Sequence, residues 1–130
     1  MTANDQCPPQ NRIPAVKMIA MPKDTNADGD VFGGWILSVM DSAAALIARQ
    51  RAHKRVATVA INNMSFNRPA SVGDCIECYG EVTHVGNTSL TVKIETWVER
   101  RTDRSKEKVT EGEFVFVALD KNRKPTKVDD

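Results

Sequence analysis

A chain of 130 residues with 41% hydrophobic and 27% charged residues has the make-up of one globular domain rather than two. Its formal net charge of +1 argues against a partner held by bulk phosphate attraction, so no nucleic acid is expected. No stretch approaches the ~20 apolar residues of a membrane span, and the opening MTANDQCPPQ lacks the basic start and apolar run of a secretory leader, so neither a membrane nor export is expected.

In chain order, residues 1–12 are polar and contain Pro8-Pro9, which predicts a loose N-terminal tail. Residues 13–21 (IPAVKMIAM) are short and apolar, stop at Pro22, and read as a first strand. A turn-rich loop, DTNADGDVFGG, then runs into an apolar segment. From Gly33-Gly34 and Trp35 onward, Ile36, Val39, Met40, Ala43 and Ile47 recur at helical spacing. Leu37, Ala44, Leu46 and Ala48 widen that face until only Ser38, Ser42, Ala45 and Arg49 remain as a polar strip. Asp41 sits at the edge of the strip beside small residues. A helix covered on most sides would leave that acid partly desolvated, which raises a carboxyl pKa and makes it a better base. The helix ends in the basic cluster Arg49, Arg51, His53, Lys54 and Arg55, and cations in a last turn suit the helix dipole.

Four further strands are expected. Residues 56–66 are followed by Asn67-Arg68-Pro69. Residues 75–85 alternate, with Ile76, Cys78 and Val82 on one side and Glu77, Tyr79, Glu81 and Thr83 on the other. Val85-Gly86-Asn87 signals a turn into residues 90–98, which alternate as cleanly. Residues 100–108 read as a charged hairpin tip. Residues 109–119 hold six apolar residues in a row, so both faces should be covered and the strand central. The polar tail over 121–130 is expected to fray. One long apolar helix with a run of antiparallel strands makes an α+β domain over residues 13–120, a five- to six-stranded curved sheet wrapped around a helix, for which the hotdog fold is the natural candidate. Uncapped edge strands and the uncovered sheet face suggest a homo-oligomer joined through its sheets.

Several motifs carry less than they promise. Residues 24–29 match the first half of a calcium-binding EF-hand loop, but the twelfth position, where a bidentate glutamate belongs, is Trp35. Cys75 and Cys78 form a C-x-x-C whose odd spacing on a strand sends the thiols to opposite faces, so they cannot share one zinc. The chain's three cysteines have no disulfide-framework spacing, which fits a reducing cytoplasm. His53 and His84 stand beside no nucleophile motif, and the basic residues Lys54, Arg55, Arg68, Arg100, Arg101 and Arg104 read as solvated surface unless some meet phosphates.

Residues 21–41 follow the pattern M-P-x-D-T-N-x-x-G-D-x-F-G-G-W-I-x-x-x-M-D, which resembles the acyl-CoA thioester hydrolases of the hotdog superfamily, and among them the small bacterial type. The likeness continues through Arg55-Val56, Thr58-Val59, Met64, Phe66, Arg68-Pro69, Val72-Gly73-Asp74, Trp97-Val98 and the strand end at 116–120. The resemblance implies a catalytic acid at Asp41 and a catalytic asparagine at Asn26. It implies a site shared across a dimer interface, with Asp41 of one subunit facing Asn26 of the next, and assembly as a homodimer or a homohexamer built as a trimer of dimers. The substrate it implies is an acyl-CoA, with coenzyme A released and no cofactor needed. Val31, Phe32, Arg55, Thr58, Val59 and Arg68 fall at the substrate. Where relatives often carry Met-Gly-Gly after the acid, this chain has Ser42-Ala43-Ala44, and it has Asn62 where many have an acidic residue; both changes bear on acyl-chain preference.

A thioester carbonyl needs a polarising donor and a nucleophilic water. The free N–H groups at the helix start, at Gly33 and Gly34, suit an oxyanion hole, because the missing Cβ lets a carbonyl approach closely. Such a donor is worth about 3 kcal/mol. Asp41 would take a proton from water or attack to give a mixed anhydride. The rival readings are a hotdog hydratase or dehydratase, which usually needs a histidine that the loop lacks, and a non-catalytic acyl-CoA-binding module.

Overall fold

One helix and five strands make up the computed structural model, which describes residues 7–9 and 12–130. Much of the loose tail expected over 1–12 lies outside the described residues. The order is β1 (Val16–Ile19), α1 (Gly33–Ala52), β2 (Arg55–Phe66), β3 (Cys75–Val85), β4 (Ser89–Glu99) and β5 (Lys106–Leu119). The strands form one sheet in the order β1-β3-β4-β5-β2, every neighbour antiparallel. This is the hotdog arrangement, with α1 laid against one face of the sheet. β1 is shorter than residues 13–21 suggest, and β5 is interior, with β4 on one side and β2 on the other.

α1 packs through its small residues. Ala43, Ala44 and Ala48 are fully buried with Met40, facing Leu90, Val92 and Ile94 of β4 and Phe114 and Phe116 of β5. The short side chains bring the helix close to the sheet, and Gly80 of β3 marks the tightest point. A Cβ there would lie 2.4 Å from Cδ1 of Ile94 and 2.6 Å from Cδ1 of Ile47, so both side chains would have to shift to admit one. Leu46, read as part of the apolar face, is instead 45% exposed. His53 ends the helix in the left-handed region (φ 56°), its N–H donating to the Arg49 carbonyl at 2.8 Å.

The face of the sheet turned away from the helix carries buried side chains of its own. Glu77 and Tyr79, on the opposite side of β3 from Ile76 and Cys78, are buried too, and Trp97 is fully buried beside them. Lysines from other strands cover them. Lys17 and Lys106 both lie 3.4 Å from Glu77, while Lys108 reaches Glu95 at 3.4 Å and Glu111 at 3.2 Å. Their aliphatic stems lie over apolar surface while the ammonium groups stay paired. β5 pairs with β4 as far back as Lys106, opposite Glu99, so the hairpin tip is limited to residues 100–105 rather than 100–108. Asp74 holds that tip, accepting from Arg100 Nη1 at 2.9 Å and from the Arg101 N–H at 3.0 Å.

Residues 121–130 do not fray. The Asp120 carboxylate accepts the N–H of Asn122 and of Lys124 (2.8 and 3.0 Å), which turns the chain back onto the body. Thr126 then donates to the Ala118 carbonyl and Val128 to that of Asn87, each at 2.9 Å, and the Val128 side chain is buried in the core.

β2 is an open edge with two register shifts, one after Thr58 and one after Asn62. Val59, Ile61 and Phe66 on it stay 40–59% exposed, as does Phe32 ahead of the helix. An apolar edge of this length is a surface that another chain covers in a soluble protein.

Candidate active site

α1 carries Asp41 on the flank that faces β2. Thr58 pairs with Phe116 across the sheet, and Phe116 is in the core, so the Thr58 side chain lies on the helix side. Its hydroxyl donates to Oδ1 of Asp41 at 2.7 Å. The half-buried carboxylate is thereby held in one orientation, and Oδ2 has no hydrogen bond among the described residues. The resemblance places Thr58 at the substrate. Its contact with Asp41 is a role that sequence reasoning missed, and a polar residue on the same face as Val56 was the signal that pointed to it.

Asn26 is held in the loop before the helix. Its Oδ1 accepts the N–H of Asp28 at 2.9 Å and of Asp30 at 3.1 Å, while its own N–H donates to the Asp30 carbonyl. Gly29 completes the turn at φ 82°. Because two N–H groups face one side-chain atom, that atom is the carbonyl oxygen, and the exposed amide NH2 is left as a donor. No hydrogen bond joins Asn26 to Asp41 within the chain, among the described residues.

From this loop the chain enters α1 with Phe32 as cap. The N–H groups of Trp35 and Ile36 both donate to the Phe32 carbonyl (3.0 and 3.2 Å), leaving those of Gly33 and Gly34 exposed and without a partner among the described residues. A Cβ at Gly34 would meet nothing within 4 Å, and at Gly33 it would meet only the Phe66 ring, at 3.5 Å. Beside Gly33 opens a pocket of ≈ 310 Å³ lined by Val31, Ile36, Phe66, Pro69 and Ala70, with Arg68 at its wall. Arg68 is not a free cation: its Nε lies 3.1 Å from Glu107 Oε2.

Of the residues singled out from the sequence, Asp41 and Thr58 touch each other, and Val31, Gly33 and Arg68 share one pocket. Phe32, at the start of α1, and Val59, on the open β2 edge, are exposed. Arg55 lies at the other end of α1, lining a separate surface pocket with Arg49 and Lys54. Among the described residues no three His, Cys, Asp or Glu side chains converge as a metal site, and no helix is long and apolar enough to cross a membrane.

This geometry has relatives. Residues 28–104 match the family model described as the thioesterase superfamily. The chain is similar to the acyl-CoA thioester hydrolase YciA of Salmonella typhimurium, 41% identical over 128 residues that cover 96% of this chain and 95% of the relative. It is 46% identical over 110 residues to an uncharacterized acyl-CoA thioester hydrolase of Haemophilus influenzae, covering 82% and 71% of the two chains. Among solved structures it is similar to the hexameric thioesterase y2039 of Yersinia pestis, with a TM-score of 0.87, 38% identity and coverage of 92% and 98%.

Proposed function

The chain belongs to the thioesterase superfamily, and from that premise we propose that it hydrolyses acyl-CoA thioesters to the free carboxylic acid and coenzyme A, with Asp41 as the catalytic base. Asp41 Oδ2, the oxygen that Thr58 leaves open, takes a proton from a water molecule. The water oxygen adds to the thioester carbonyl carbon, and the oxyanion that forms is met by N–H donors at Gly33 and by the Asn26 amide. When the tetrahedral intermediate collapses, the carbon–sulfur bond breaks and the coenzyme A thiolate takes up the proton. Asn26 acts as a donor, since its carbonyl oxygen is already committed to Asp28 and Asp30.

The site takes two chains. Gly33 and Asp41 stand eight residues apart on one helix, about 12 Å at 1.5 Å per residue, so a carbonyl held at the helix start is out of reach of the same chain's carboxylate. A neighbour docked along the open β2 edge brings its own α1 alongside, so that Asn26 and Gly33 of one protomer meet Asp41 of the other. The homodimer is therefore the minimal unit. Assembly of such dimers into a hexamer is supported by the likeness to the hexameric Yersinia pestis thioesterase. The free thiols of Cys7, Cys75 and Cys78 support a cytoplasmic setting for the reaction.

One observation carries the reading: the Asp41 carboxylate, oriented by Thr58 on the central helix, with free N–H donors at the start of that helix. The test is thiol release from a panel of acyl-CoA lengths by wild-type protein and Asp41→Asn. A loss of at least ~10² in kcat with acyl-CoA binding retained is expected of a positioned base. Full activity in Asp41→Asn removes Asp41 from the mechanism, and hydration of an enoyl-CoA without thiol release would favour the hydratase.

A further inference from the structure

Asp74 is a buried carboxylate, 4% exposed, that the reaction just described does not use. Its Oδ2 accepts the Ser71 N–H and Arg100 Nη1, each at 2.9 Å, and its Oδ1 accepts the Arg101 N–H at 3.0 Å. Nη1 of Arg100 also donates to the Pro69 carbonyl at 2.9 Å, and its Nε donates to Glu107 Oε1 at 3.3 Å. Gly73 (φ 89°) lets the hairpin tip close over this pair, since a Cβ there would lie 2.4 Å from Cδ of Arg101. A buried ion pair is by itself weak evidence of stability, because packed apolar residues do as well. What sets this one apart is where its hydrogen bonds lead.

They lead across residues 69–72 by the alternation of an extended backbone. The Pro69 carbonyl and the Ser71 N–H face Arg100 and Asp74. The groups of Ala70 and Val72 face the other way, onto the loop before α1. There the Val31 N–H donates to the Ala70 carbonyl at 2.8 Å, and the Val72 N–H donates to the Gly29 carbonyl at 3.1 Å. Asp30, between Gly29 and Val31, pairs with Ser71 as an antiparallel bridge. Its own N–H and carbonyl turn outward again, and both bond to Asn26. Asn26, Ala27 and Asp28 are exposed, so apolar burial does little to fix this part of the loop.

We propose that the Asp74–Arg100 pair is the positioning element of the reaction, holding the Asn26 amide in place through residues 69–72 and Asp30. This rests on the acyl-CoA reading, in which Asn26 meets an oxyanion that exists only in the transition state. A misplaced amide therefore costs kcat rather than KM. A displacement of about 1 Å at a reacting group is enough for a loss on the order of 10².

Four proteins test this: wild type, Asp74→Asn, Asn26→Asp and the double variant. Thiol release from one acyl-CoA gives kcat and KM, at a temperature well below every melting transition. Asp74→Asn leaves one oxygen for three donors and turns an NH2 toward a group that itself donates. Alone it should lower kcat about tenfold with KM within about twofold of wild type, and the Asp30 amide should exchange several-fold faster. In the Asn26→Asp background, which already lacks the amide donor, the same change should lower kcat by less than about threefold. An unchanged kcat in Asp74→Asn, an equal loss in both backgrounds, or an unchanged exchange rate at Asp30 overturns the proposal. If Asp74→Asn does not fold, Arg100→Lys takes its place under the same criteria, since it exchanges the planar fork for a point charge. Wild-type turnover in Asn26→Asp, or no thiol release by wild-type protein, is a failure of the acyl-CoA reading instead. The exchange rate at Asp30 in Asp74→Asn then decides by itself whether the pair holds the loop.

Discussion

Thr58 reaches from β2 to α1 and donates its hydroxyl hydrogen to Oδ1 of Asp41 across 2.7 Å. The bond selects which carboxylate oxygen faces the substrate and removes a rotamer search from the catalytic step. A hydrogen bond to a charged group is worth about 1.5–3 kcal/mol. Thr58→Val should therefore lower kcat by roughly 10- to 100-fold in thiol release, while Thr58→Ser, which keeps the donor, should stay within a few-fold of wild type. Full activity in Thr58→Val with a loss in Thr58→Ser would make the methyl group, rather than the hydroxyl, the part that matters.

Asn26 offers a sharper separation of structure from chemistry. Asn26→Asp keeps an oxygen to accept the N–H groups of Asp28 and Asp30, so the loop should hold, but it removes the NH2 donor and adds a negative charge beside the developing oxyanion. Turnover should fall by at least ~10² with thermal stability near that of wild type. Asn26→Ala should lose turnover and also loosen the loop, visible as faster amide exchange at Asp28 and Asp30. An active Asn26→Asp protein would show that no donor is required from this position.

The seat of α1 on the sheet is tested at Gly80. Gly80→Ala would drive a methyl group into Ile47 and Ile94, an overpacking cost of about 1–3 kcal/mol in denaturant unfolding. Ile47→Val removes one of the two clashing methyl groups, so the double variant should recover part of the loss. A neutral Gly80→Ala would mean that the helix can lift without cost.

Burial pushes the Cys78 thiol up to about 11, against a weaker opposing contact with Thr96 at 3.4 Å. The unfolded chain releases this proton near pH 9.0, the folded chain later. The stability linked to the neutral thiol is therefore complete below about pH 9 and is lost as pH rises through about 11, some 2–3 kcal/mol in all. Denaturation midpoints should fall over that window in wild type and fall less in Cys78→Ala. Parallel curves for the two proteins would remove Cys78 as a source of the alkaline loss.

Local patterns made most of the fold legible. The alternation in residues 75–85 and 90–98, the turn at Gly86-Asn87 and the helical spacing from Ile36 to Ala48 each encode their element within a short window. Glu77, Tyr79 and Trp97 were harder to read because their cover, Lys17 from β1 and Lys106 and Lys108 from β5, comes from strands distant in sequence and depends on the strand order. Val128 is a lone apolar residue in a polar stretch, too little signal to foretell a buried anchor. At the site, Asp41 stood out in its motif, whereas its pairing with Thr58 requires β2 to lie beside the helix flank, a relation that sequence spacing does not carry.

The shared site is tested most directly by mixing two inactive proteins, Asp41→Asn and Asn26→Ala, under conditions where subunits exchange. A hybrid dimer has one site with both Asp41 and Asn26 intact and one with neither. With random pairing, half the dimers are hybrids with half their sites working, so thiol release should return to about a quarter of the wild-type rate. No recovery, with exchange confirmed by mass spectrometry of differently tagged subunits, would contradict a site built from two chains.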